Sequence, residues 1–361
     1  MAENRKVYLP ASILLIGFIA ILLLPARQEP EVIKIRRECQ TAISKERCYA
    51  AAFENLTKAT DWNHSFEILR ELQKIDPDSR GCHFIAHSIT IAETEKDVSR
   101  WKEIMNAAPQ DCSYGGPHGA IEVYASTFPD GKIPKEEIPE ICNNPDTNNC
   151  THILGHLLLI MNENDIPKSL RGCEGLPHNE LGKFECQTGV FMERITAINL
   201  EAHGLVTKEA LNWPARVPEL EKLCREQSGA PAVACWQEIV HAVLVKVNNN
   251  IQKLVAFCES APEEAQTRKC IDHSLGIIAA SHNYDLYKMR TLCDAKVKAP
   301  NFQDRCYAML VLSTLSTLPQ EIESAKRFCS SIGKEYQSSC FRSVDNFVYH
   351  GKNNRRSDTI N

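Results

Sequence analysis

The sequence predicts an all-α protein: an α-solenoid of about eight to nine helical-hairpin repeats, stapled by disulfides and preceded by one N-terminal transmembrane helix. Three observations carry the prediction. A cysteine opens an apolar helical segment at Cys48, Cys82, Cys112, Cys150, Cys186, Cys235, Cys270, Cys306 and Cys340, at spacings of 34, 30, 38, 36, 49, 35, 36 and 34 residues. A period of about 34–38 is the mark of a helical-hairpin array. The 361 residues include 16 cysteines, too many for a reducing cytosol unless they hold metal. An apolar run fills residues 7–26, long enough to cross a bilayer as a helix.

In chain order, residues 1–6 form a cytoplasmic tip whose Arg5 and Lys6 precede the apolar run. Leu24-Pro25-Ala26 puts a leucine where a cleavage site needs a small residue, which favours an uncleaved signal anchor over a removed signal peptide. Basic residues also follow the run at Arg27, Lys34, Arg36 and Arg37, so counting positive charges does not set the orientation. The cysteines set it, by placing the bulk of the chain in an extracytoplasmic space, whether periplasmic, extracellular or luminal. Residues 27–36 read as a charged linker, 37–349 as the repeat domain, and 350–361, with Arg355-Arg356, as a polar disordered tail.

Each repeat divides into four pieces. Helix A starts at the anchor cysteine and is apolar around most of its circumference, as from Ile153 to Met161, the pattern of a buried helix. A polar turn follows, such as 162–165, 248–250 or 281–283, with Asn and Asp that stop one helix and cap the next. Helix B is amphipathic, as in 218–224 and 320–329, and ends near a second cysteine. A loop of about ten residues leads to the next anchor.

The second cysteines lie 8 to 13 residues before an anchor and give the pairs Cys39–Cys48, Cys142–Cys150, Cys173–Cys186, Cys224–Cys235, Cys258–Cys270, Cys293–Cys306 and Cys329–Cys340. No C-x-x-C occurs, so the usual zinc spacing is missing and the pairs read as disulfides. Each ties the end of one hairpin to the start of the next, a closure worth roughly 3 kcal/mol. The 48–112 region has no second cysteine; Leu72 and Ile104/Met105 stand in those places. Cys82 and Cys112 are left over and pair with each other by parity. The 186–235 unit carries an enlarged loop around Glu201 and Asn212-Trp213-Pro214.

In period, helix pairing and staple logic, most of the chain resembles the tetratricopeptide-like solenoids, particularly secreted cysteine-rich bacterial proteins whose helical repeats are disulfide-linked. The tetratricopeptide pattern of Trp, Leu-Gly and Tyr at fixed positions is missing. The resemblance implies protein or peptide binding and assigns no role to any single residue.

Histidines concentrate in three consecutive units: His83 and His87, then His118, then His152 and His156. Spacing i, i+4 puts each pair on one helical face, and Glu122 continues the stripe of His118. His118, His156 and His241 share register relative to their anchor cysteines. Neighbouring helix axes lie ~8–10 Å apart, so side chains at equal height on adjacent units can share an ion. Placement in the first turns of helices and apolar neighbours both favour neutral imidazole, the form that binds metal. The candidate metal site, for zinc or iron, is therefore His83, His87, His118, Glu122, His152 and His156, with Cys82 and Cys112 added if reduced. The competing reading is duplicated interface histidines with no ion. His241, His273, His282 and His350 are more scattered and read as structural.

Net charge is −5 with a pI near 6.2, and no long basic run occurs, which argues against a nucleic-acid partner. The chain lacks H-E-x-x-H, C-x-x-C-H and G-x-S-x-G motifs and a phosphate loop. Gly115-Gly116-Pro117 reads as a close approach to a neighbouring segment. Asn55, Asn63 and Asn149 open glycosylation triplets of little weight. The expected function is a membrane-anchored extracytoplasmic helical-repeat scaffold that binds a protein or peptide partner, since repeat arrays present long concave faces. The alternative is a metal-dependent enzyme, hydrolase or oxygenase, with its His-rich site in repeats two to four; a bare spacer is the third reading.

Overall fold

The computed structural model describes residues 29–42, 44–109, 112, 115–128, 133–134, 137–142, 148–195, 213–294 and 301–357. The transmembrane helix assigned to 7–26, the insert from Glu201 to Asn212 and the end of the tail from 358 lie outside the described residues. Among those described, no residue is in a strand and no helix is long and apolar enough to cross a membrane.

The helices are α1 (Glu31–Cys39), α2 (Lys45–Ala59), α3 (Trp62–Ile75), α4 (His83–Lys96), α5 (Trp101–Ala107), α6 (Gly115–Ser126), α7 (Ile138–Ile141), α8 (Asn148–Met161), α9 (Ile166–Glu174) and α10 (Glu180–Ile195). They continue with α11 (Trp213–Arg225), α12 (Gly229–Glu238), α13 (Val240–Lys246), α14 (Ile251–Cys258), α15 (Glu264–Ser281), α16 (Leu286–Cys293), α17 (Phe302–Thr317), α18 (Ile322–Ser331) and α19 (Lys334–Ser357). The last helix thus runs into the stretch that the sequence gives to the tail.

The helices of type A pack in succession, α2 on α4, then α6, α8, α10, α12, α15, α17 and α19. Type B helices also lean on the A helix of the next unit, as α9 on α10, α14 on α15 and α16 on α17. Their buried stripe has the i, i+3, i+4, i+7 spacing of a single buried face: Ile251, Leu254, Val255 and Cys258 in α14, and Ile166, Ser169, Leu170 and Cys173 in α9. The result is a helical-repeat-like all-α fold with a continuous core.

The polar turns are built alike in three units. Glu163 and Asn164, Asn248 and Asn249, and Asn283 and Tyr284 each form a left-handed pair. The second of each pair donates its N–H to a carbonyl five residues back, at Leu159, Leu244 and Ala279, the closure that ends a helix in a Schellman-type turn. Asp165, Asn250 and Asp285 then cap the following helix through their side chains, satisfying an otherwise orphan N–H.

All eight disulfides form as the spacing predicts, the seven hairpin-to-hairpin pairs and Cys82–Cys112, with Cα–Cα separations of 5.0 to 5.6 Å, and no cysteine is free. Such a set of bonds suits an oxidising, extracytoplasmic environment. Leu72 and Ile104 are fully buried where the missing cysteines would stand. One expectation needs correction. Helix A starts a turn or more before its anchor cysteine in α10, α15, α17 and α19, because segments such as Glu264-Ala-Gln-Thr-Arg-Lys are good helix formers.

Glycines set how closely the A helices approach. A Cβ on Gly115 would lie 2.1 Å from the His83 carbonyl oxygen, and one on Gly119 would lie 2.4 Å from that of His87. On the next pair, a Cβ on Gly155 would meet the Cys186 carbonyl oxygen at 2.0 Å and one on Gly189 would meet that of His152 at 1.9 Å. Backbones held this close bring histidines of one helix within reach of polar side chains on the next. Distant units also touch: Asn283 Nδ2 donates to Asp78 Oδ1 at 3.1 Å, and Arg80 donates to the Asn283 carbonyl at 3.4 Å.

Candidate metal centre

The six residues nominated from sequence line up along α4, α6 and α8, without three of their ligand atoms meeting within 4.8 Å of one another. The His118 ring lies between the other pairs, with centroids 5.2 Å from His83, 6.4 Å from His87, 5.9 Å from His152 and 5.8 Å from His156. Glu122 Oε1 is 2.9 Å from His87 Nε2. Cys82 and Cys112 are bonded to each other, which removes them from the ligand set.

The protons on α8 can be assigned from their partners. His156 Nδ1 is 2.8 Å from Glu193 Oε2 on α10, and an ionised carboxylate only accepts, so Nδ1 carries the hydrogen. His152 Nδ1 is 2.8 Å from Thr188 Oγ1, whose own hydroxyl donates to the Glu185 carbonyl at 2.7 Å. With that hydroxyl hydrogen used, Thr188 Oγ1 is left to accept from His152 Nδ1. Both Nε2 atoms therefore present lone pairs, and they face each other at 3.1 Å.

A shared proton is an unfavourable filler for that gap. Burial, then the neighbouring His156, push His152 down to about 3. Burial, then the imidazoles of His83, His156, His152 and His87, hold His118 well below the ordinary histidine range. The sequence reading named burial and the helix dipole; the mutual repulsion of clustered imidazoles is an added cause. His118 and His152 keep partial solvent exposure while His87 and His156 are buried, so the stripe is an accessible wall.

The wall continues past the nominated residues. Glu238 at the end of α12, His241 on α13 and His273 on α15 have ligand atoms all within 4.8 Å of one another. His152 is raised electrostatically by Glu238 and lowered by His273, so this trio belongs to the same polar seam. Glu185 lies between, its carboxyl raised by burial and then by Glu238. Sequence reasoning took His241 and His273 as structural and missed Glu193, Thr188 and Glu238. The one available signal was the register that His241 shares with His118 and His156.

Compared with known protein families, curated proteins and solved structures, the chain matches none.

Proposed function

We propose that this chain is an extracytoplasmic α-solenoid, anchored by residues 7–26, whose stacked A helices carry a His-rich transition-metal centre, and that it acts as a metal-dependent enzyme of the hydrolase or oxygenase type. One observation carries the reading: the paired Nε2 lone pairs of His152 and His156, 3.1 Å apart, each with its Nδ1 hydrogen engaged elsewhere. Two bare lone pairs at that separation repel unless a cation lies between them or one nitrogen carries a hydrogen toward the other. Ligands on arms of ~2.0–2.1 Å around a four-coordinate ion are separated by about 3.3 Å, close to the spacing here. The anchoring of Nδ1 by Glu193 and by Thr188 matches the outer-shell support that metal-bound histidines use.

His118 stands beside this pair and His83 beside His118, and Glu122 and Glu193 supply carboxylates. A bound zinc or ferrous ion would supply Lewis-acid or dioxygen chemistry. The chain's own residues orient the imidazoles, keep His118 and His152 neutral and leave both partly accessible. A scaffold that binds a protein or peptide remains the second reading, supported by the length of the stacked helices. A pure scaffold gives no reason to gather these histidines at one height.

Zinc and ferrous titration calorimetry on the full chain, purified in detergent without a histidine tag, tests the proposal. Wild type is expected to bind, and the His152→Ala/His156→Ala variant to lose binding at this position. Absence of binding by wild type would leave the scaffold.

A further inference from the structure

One helix beyond that centre, three side chains converge with their ligand atoms all within 4.8 Å of one another. His241 Nε2 and His273 Nε2 are 3.3 Å apart. Glu238 Oε2 is 3.5 Å from each of them. The three atoms form a nearly equilateral triangle, and its edges match the ~3.3 Å expected between ligands on arms of about 2.0–2.1 Å. Glu238 is 1% exposed. Its Oε1 accepts from Gln237 Nε2 at 2.8 Å, whereas its Oε2 is buried without a hydrogen-bond partner. That oxygen is aimed at the two imidazole nitrogens, at a distance longer than a normal hydrogen bond. His241 and His273 retain partial exposure at 19% and 32% of their side chains, so the face opposite Glu238 is reachable from solvent.

Local structure explains the convergence. Ile239 interrupts the helix between α12 and α13, yet the i, i+3 spacing still keeps Glu238 and His241 on one side. Packing of α12 and α13 against α15 brings in His273.

We infer that Glu238, His241 and His273 form a second metal site, taking a divalent transition-metal ion of the zinc or ferrous class. Two imidazoles and one carboxylate are a donor set used for both ions, with positions left open for a substrate or water. The inference does not depend on the His152/His156 centre, because its ligands and its observations are separate. The competing account is a buried ion pair, in which His273 stays protonated against Glu238. Burial opposes that charge on His273, but Glu238 outweighs it and raises the group.

The test is a cobalt titration of the metal-stripped full chain with its disulfides intact, followed by zinc displacement. The proposal expects visible cobalt bands, and zinc-induced shifts of the His241 and His273 ring protons in wild type, a readout that needs no variant. Glu238→Gln and His273→Ala should each weaken zinc at this site by more than the roughly 10–100-fold that loss of an outer-shell partner costs. His152→Ala/His156→Ala should leave this site occupied. Identical cobalt spectra in wild type and Glu238→Gln, or ring protons of His241 and His273 that ignore zinc, would overturn the proposal.

Discussion

At His156 a single neighbour decides where the proton sits. Glu193 is buried, 2.8 Å from Nδ1, and its carboxylate orients the ring so that Nε2 faces His152. Glu193→Gln is therefore expected to weaken zinc binding about 10–100-fold with the fold intact, read by competition against a chromophoric chelator. For His152 and His118 the folded-state pKa is depressed, so the unfolded chain takes up protons first as pH falls. Their contribution to apo stability is present above about 6.5 and is lost as pH drops toward the folded value of about 3 for His152. Denaturant melts of the apo protein should show stability falling below about pH 6.5, with a shallower fall in His152→Ala. The candidate histidines were legible because i, i+4 pairs and shared register are sequence properties. Glu238 was not, since burial of that one carboxylate depends on which face of α12 turns inward.

Elements are held at their spacing by glycine. A Cβ at residue 189 would sit 1.9 Å from the His152 carbonyl oxygen, which is backbone and cannot step aside without moving α8. Gly189→Ala should destabilise by roughly 1–3 kcal/mol and also displace His152 and His156 from Thr188 and Glu193, so that metal affinity falls with melting temperature. Gly81→Ala is the control. Nothing lies within 4 Å of that position, and a change within about 0.5 kcal/mol is expected. The type A and B alternation, the polar turns near 162–165, 248–250 and 281–283, and seven of the disulfides follow from repeated residue patterns, while Cys82–Cys112 followed from parity alone. Helix starts did not follow, because a cysteine marks where a bond must face and says nothing about how far back helix-forming residues extend.

Across the whole molecule, Asp78 joins the exit of the first hairpin to the turn before α16. It pairs with Lys45 at 2.6 Å and accepts from Asn283. Contact between segments this distant in sequence means the stack curves, a property invisible in local spacing because it accumulates from small rotations between units. The hydrogen bond from Lys45, chiefly, holds Asp78 below the usual carboxylate range. A depressed carboxyl contributes above its unfolded value and loses that contribution as pH falls through the folded one. Small-angle scattering should therefore show the molecule expanding below about pH 4, and Asp78→Ala should show the wider form already at neutral pH. An unchanged radius in that variant would mean that packing alone sets the curvature.

The most direct test of the account is anomalous diffraction at the zinc or iron edge from crystals of the metal-loaded, fully oxidised protein. The account predicts a peak between His152 and His156, about 2.0–2.1 Å from both Nε2 atoms, with Glu193 and Thr188 still holding the two Nδ1 positions. A structure in which the two rings turn away from each other, or share a proton with no metal between them, would contradict it.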